Sequence, residues 1–154
     1  MKAQSDPITP DEWLLRIIWH DKFVSTRTPI ISPRAFEPRG PKAKKPDDEG
    51  ISLFRLACLP EPSDVLVNIA ADKRPANGIA GLTVADLTTL GFTVGRKDHE
   101  PEVGQSAILG HVVVPELTWA LYAANPSAFT PRLLALAMLA SRDGSIFVRP
   151  APPQ

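Results

Sequence analysis

Leu82-Thr83-Val84-Ala85-Asp86-Leu87-Thr88-Thr89-Leu90-Gly91 is the stretch on which the fold turns. Thr83 stands as N-cap with Asp86 three residues on to answer it, Gly91 supplies the stop, and Leu82 and Leu87 take the two positions of a hydrophobic staple. Start and stop signals agree. A short helix is therefore predicted here, preceded by a strand near 78–81 and followed by one at 92–95.

Working outward, Trp13-Leu14-Leu15-Arg16-Ile17-Ile18-Trp19 has the β-branched and aromatic content of a buried strand. Thr9-Pro10-Asp11-Glu12 before it would cap one helical turn, with Pro10 at N1 and Glu12 as the capping-box acid. Further strands are expected at about 51–57, 106–114 and 146–149. Short helices are expected after Ser63, over 115–124, and from Thr130-Pro131 through Ala140, the last apolar nearly all round. The pattern predicts an α+β domain: a small mixed sheet of about five strands, with short helices packed mainly on one side.

One domain is the default for 154 residues. Its expected limits are 9–149, with residues 1–8 a flexible leader and 150–154 a tail. Residues 25–50 hold seven prolines or glycines. Lys42, Lys44 and Lys45 there run directly into Asp47-Asp48-Glu49, so a mobile loop is expected over 38–50. Ile31 and Phe36 are the apolar residues placed to tie this region to the body.

Seventeen basic residues balance seventeen acidic ones, which disfavours polyanion binding through an overall field. The acidic run beside the lysines weighs against a local nucleic-acid patch as well. The single cysteine, Cys58, lies in an apolar run and reads as a packed small hydrophobe. No cysteine pair, helical histidine pair, Gly-rich phosphate loop or nucleophile elbow is present, so neither a metal nor a cofactor is expected. No segment reads as a signal peptide or a membrane span, and a cytoplasmic location is expected.

Four polar residues stand out on otherwise apolar elements: Arg16, Ser32, Ser52 and His111. A guanidinium in a strand needs a carboxylate, phosphate or carbonyl partner, so Arg16 is either an anion clamp or the structural partner of Asp11 or Asp21. His111, heading Val112-Val113-Val114, either faces a cleft with Arg16 or Ser52 or is satisfied by backbone. His99 reads as solvated loop, and His20 beside Asp21 as a surface pair. Trp13, Trp19 and Trp119 are candidate interface anchors or core residues, Trp13 and Trp19 sharing one face of their strand.

Leu14-Leu15-Arg16-Ile17, Ser32-Pro33-Arg34-Ala35-Phe36, Ile51-Ser52-Leu53 and His111-Val112-Val113 together resemble a family of small bacterial proteins of unassigned function. The likeness runs over residues 11–114, with Pro33 where a second serine is usual and Val112 where a small residue follows the histidine. It implies a recurring small domain and supplies no reaction. Two functions follow as expectations. The first is a non-catalytic protein-interaction or accessory module of a bacterial multi-protein system, with a protein partner or self-association. The second is a nucleotide-binding or ADP-ribosyltransferase-like enzyme in which Arg16 grips phosphate, Ser52 supports the sugar and Glu116 activates the acceptor.

Overall fold

The computed structural model describes residues 1–97 and 101–151. Its strands are β1 (Trp13–Trp19), β2 (Ile51–Arg55), β3 (Asn77–Thr83), β4 (Gly95–Arg96), β5 (His111–Val114) and β6 (Ile146–Val148). Three helices accompany them: α1 (Val84–Thr89), α2 (Trp119–Ala124) and α3 (Pro126–Ala140). One sheet runs in the order β4-β5-β2-β1-β3-β6, antiparallel at every pairing.

The α+β class is as expected. Among the described residues the strands number six rather than about five, and the sheet is antiparallel where a mixed one was expected. Neighbours such as β1 and β2 are joined by irregular segments, not by the crossover helix that a parallel pair needs. β3, expected near 78–81, is longer than that and stands in register with β1 along all seven residues. Its two glycines are required by close packing: a Cβ on Gly78 would lie 2.8 Å from the Phe23 ring, and one on Gly81 would lie 2.9 Å from Trp13 and nearer still to Phe147.

α1 forms as the capping signals direct, with reciprocal Thr83 and Asp86 bonds of 3.1 and 2.9 Å. Several other limits move. β2 stops at Arg55 because Leu56–Cys58 coil into a 3-10 turn, and the expected 106–114 strand is confined to His111–Val114. The helix expected after Ser63 is a 3-10 turn, Pro62–Leu66, capped by Glu61 and Asp64. α2 starts at Trp119 under a Thr118 cap, and α3 starts at Pro126 with Pro131 inside it.

One face of the sheet carries Leu14, Ile18, Leu53, Leu82, Val112 and Val114, and receives Leu87 of α1 and Leu133, Leu136 and Ala140 of α3. The helices thus lie on that side. Across the sheet, Leu15 and Ile79 meet Leu59, Val65 and Leu66 from the 3-10 segments, with Ile17, Phe54, Ile69 and Ile108 at the margin. This second cluster is smaller, and it leaves part of the face open.

Arg55 is wholly buried at the end of β2 and uses every donor it has. Nε and Nη2 bind Glu12 at 2.5 and 3.1 Å, while Nη1 and Nη2 reach the carbonyls of Gln4, Asp6 and Pro7 at 3.1, 2.9 and 3.2 Å. Residues 1–8, expected to fray, are therefore tied to the sheet. Glu12 heads no helix: only a turn precedes β1, and its carboxylate serves Arg55. Burial pushes Glu12 up, but the Arg55 hydrogen bond, the Thr9 amide and the nearby cations outweigh it and hold the carboxyl below its usual value.

The 38–50 segment, expected as a mobile loop, closes on itself. Asp47 is buried and accepts from the Arg39 amide at 2.7 Å and from its guanidinium at 3.3 and 3.2 Å, and the Asp47 carbonyl accepts the Trp119 amide at 2.9 Å.

Candidate functional site

β1 pairs with β2 only at Leu14 and Leu15, then stays with β3 and leaves β2 behind. The departure opens a wedge that Arg16 fills. Its Nη1 donates to the Ser52 carbonyl at 3.0 Å and its Nε to the Ala35 carbonyl at 3.2 Å, so the guanidinium replaces ladder bonds the strands no longer make.

Ala35 is delivered by the 3-10 turn Pro33–Phe36. Ser32 caps that turn, its hydroxyl accepting the Arg34 amide at 3.2 Å, while Ile31, Ala35 and Phe36 are buried as anchors. Ser32 therefore shapes the backbone and does not line the site.

On β2, Ser52 and Phe54 share a face. β5 brings His111 opposite Phe54. The rings stack, 5.1 Å between centroids at 23°, and His111 Nε2 lies 2.8 Å from Ser52 Oγ. Gly110 turns the chain into β5 at φ +81, and the Gln4 side chain spans its amide and the His111 carbonyl.

These residues open onto a cavity of about 630 Å³. Ile17, Phe54, Val65, Ile69, Ala107 and Ile108 make it apolar on one side. Six cations, Arg16, Lys22, Arg34, Arg39, Lys45 and Lys97, line it against one carboxylate among the described residues, Glu37. An adjoining recess holds Asp47, Asp48, Glu49 and Glu102. Three of these engage Arg39, Lys97 and Lys45 at 3.2, 2.5 and 3.7 Å, and Asp21 lies 3.6 Å from Lys22.

Arg16 and Arg34 form no ion pair among the described residues. Burial lowers the Arg16 guanidinium to about 10, with the Asp47 charge working in the opposite direction and Arg39 adding to the fall. The cation is thus held at a cost that an anion in the cavity would offset. Asp11 and Asp21, its two sequence-level partners, do not reach it.

Residues 101–109 wall the cavity on its outer side. Asn68 clasps them: its Nδ2 donates to the Ser106 carbonyl and its Oδ1 accepts the Ser106 amide, both at 2.8 Å.

Of the four residues singled out, then, Arg16, Ser52 and His111 come together and Ser32 does not. Glu116 is also elsewhere, accepting the Thr93 amide and hydroxyl at 2.7 and 2.6 Å and absent from the cavity lining. The tryptophans separate as well. Trp13 packs edge-on to Phe147 at 5.7 Å, Trp19 stands half exposed at the cavity, and Trp119 covers Gly40 beside Tyr122. Asp21 pairs with Lys22 and not with His20. His99 and residues 152–154 of the expected tail lie outside the described residues. Cys58 is buried, as its apolar run implied.

Reading by residue type missed Gln4, Arg34, Arg39 and Asn68. Gln4, Arg39 and Asn68 sit in irregular segments and Arg34 in a single 3-10 turn, where no periodicity shows which way a side chain faces. Among the described residues no group of three or more His, Cys, Asp or Glu could hold a metal, and no helix is long and apolar enough to cross a membrane. Comparison with protein-family models, curated proteins and solved structures finds no match.

Proposed function

We propose that the chain is a binding module whose cavity takes up a compact organic anion of the nucleotide class. Arg16 carries this reading: a charged, partly buried guanidinium that lines the cavity, with two donors on carbonyls and no ion pair to a carboxylate among the described residues. Phosphate is the group that such a fork binds best. The cavity has the size usual for small-molecule sites, and its apolar wall suits a base or another flat ring. The ADP-ribosyl version loses its acid, since Glu116 faces Thr93. A transfer reaction would have to draw on Glu37.

AMP titration followed by calorimetry tests the proposal. Binding should weaken roughly ten-fold or more on Arg16→Gln, and by a smaller factor on Arg34→Gln. No heat with AMP, ADP or NAD, and no displacement by inorganic phosphate, would remove the reading.

A second reading, a protein-interaction module, has its own support. Leu134 and Met138 lie one turn apart on the outer face of α3, 49% and 66% exposed. Sedimentation with and without Leu134→Lys/Met138→Lys checks for self-association through that face.

A further inference from the structure

Ser52 and His111 do more than line the cavity. Serine hydroxyls in sheets are commonly satisfied by backbone or water. Here Ser52 Oγ is held 2.8 Å from a ring nitrogen of His111, within the range of a nucleophile and its general base. His111 is held at its ring and at its main chain. Phe54 stacks on its plane, and the Gln4 side chain and Lys97 amide hold its backbone carbonyl at 3.2 and 3.1 Å. Ser52 is fixed through its own carbonyl by Arg16. Both side chains line the same cavity as Arg16 and Arg34.

We propose that Ser52 is a nucleophile activated by His111, and that the pair hydrolyses a small carboxylic ester whose acid or alcohol part carries an anionic group. The anion's place at Arg16 and Arg34 rests on the binding reading above; the pair itself rests on the Ser52 and His111 geometry. Ser52 Oγ attacks the ester carbonyl carbon as its proton passes to His111 Nε2. When the tetrahedral adduct collapses, the carbon–alkoxy bond breaks and Nε2 gives that proton to the departing alkoxide, leaving acyl-Ser52. Water then attacks the acyl carbon and yields its proton to Nε2. Loss of the serine oxygen, reprotonated from Nε2, releases the carboxylic acid and restores the pair. Water is the sole co-reactant.

A fluorophosphonate tests the pair without calling on the anion site, because it labels activated serines and carries no anion for Arg16 to hold. Ser106 lines the same cavity with no histidine partner among the described residues and serves as the internal control. Peptide mapping of the intact protein should place the adduct on Ser52 and not on Ser106. His111→Gln should slow labelling roughly 100-fold. If that variant does not fold, Ser52→Cys keeps the test open, since iodoacetamide should alkylate it faster than the buried Cys58 and faster than Ser106→Cys. Labelling spread equally over Ser52 and Ser106, or unaltered in a folded His111→Gln, overturns the proposal. AMP binding that depends on Arg16 with no Ser52 adduct would refute the pair and leave the binding module standing. A Ser52 adduct without AMP or phosphate binding would do the reverse. A carboxylate-bearing p-nitrophenyl ester, mono-p-nitrophenyl succinate, should turn over faster than the neutral acetate in wild type and lose that advantage in Arg16→Gln.

Discussion

Arg55 and Arg16 stand on neighbouring strands, β2 and β1, and serve opposite ends. Arg55 has all five donors engaged, a bidentate carboxylate and no exposure. Arg16 spends two donors on carbonyls and presents the rest of its fork to a cavity. A guanidinium that is saturated organises structure, whereas one that is half used beside empty space is available for chemistry. The number of unspent donors separates the two more sharply than burial does.

The largest effect should come from breaking the saturated arginine. Arg55→Met leaves Glu12 buried without its main partner and takes a donor from three carbonyls, of which that of Asp6 keeps another, Arg96, at a cost of about 3–5 kcal/mol. Chemical denaturation measures the loss, and amide exchange should show residues 1–8 released. Replacing both partners, Arg55→Met with Glu12→Leu, should recover much of it, because no orphan charge remains. A double variant as unstable as the single one would mean that the carbonyl contacts, not the ion pair, hold this end of the sheet.

Acid should expose the same pair. Glu12 is held below the ordinary glutamate value, so its contribution is complete above the unfolded value and is lost as pH falls through the folded one. Asp11, lowered first by the Thr9 hydroxyl, and Glu116, where the bonds from Thr93 outweigh burial, respond in the same direction. Comparing denaturation of wild type and Glu12→Gln from neutral to acid pH isolates the Glu12 part. The gap between the two proteins should be widest at neutral pH and narrow as acid is added. A constant gap would contradict the assignment.

Arg16→Met should lower stability far less, by about 1 kcal/mol, since two carbonyls lose a donor while a costly cation disappears. AMP binding, in contrast, should vanish. Destabilisation as large as that of Arg55→Met would erase the distinction between the two arginines and make Arg16 a structural residue.

Much of this contrast could be read in the chain before folding, but unevenly. A guanidinium in an apolar strand demands a partner, which marks Arg16 and holds with greater force for the fully buried Arg55 in Leu53-Phe54-Arg55-Leu56. Glu12 was hidden because Thr9-Pro10-Asp11-Glu12 has the local form of a helix start, and long-range pairing with Arg55 overrides that preference. β3 is expected only over 78–81 and runs from Asn77 to Thr83, because the rings of Phe23, Trp13 and Phe147 that pack on its glycines are distant in sequence. Meanwhile α1, whose signals are all local, forms where its caps place it. The joining of Arg16, Ser52 and His111 depends on strand order and on where β1 leaves β2. Neither is written in any single segment.

The smallest effect tests how the open side of the sheet is closed. Asn68 holds the 101–109 segment by two bonds to the main chain of Ser106, and that segment supplies Gln105, Ala107 and Ile108 to the cavity wall. Apart from these bonds, Ile108 packs on the second hydrophobic cluster, and Glu102 reaches Lys45 only at 3.7 Å in a solvent-exposed pair worth little. Asn68→Ala should therefore cost no more than about 1 kcal/mol globally while raising amide exchange across 101–109. AMP should then dissociate faster with little change in association, because the variant removes what holds the wall in place and leaves the arginines that attract the anion. If exchange in 101–109 stays as slow as in wild type, Ile108 packing closes the cavity and the Asn68 bonds are incidental. In that case the open side resembles the saturated one more closely than Arg16 and Arg55 resemble each other.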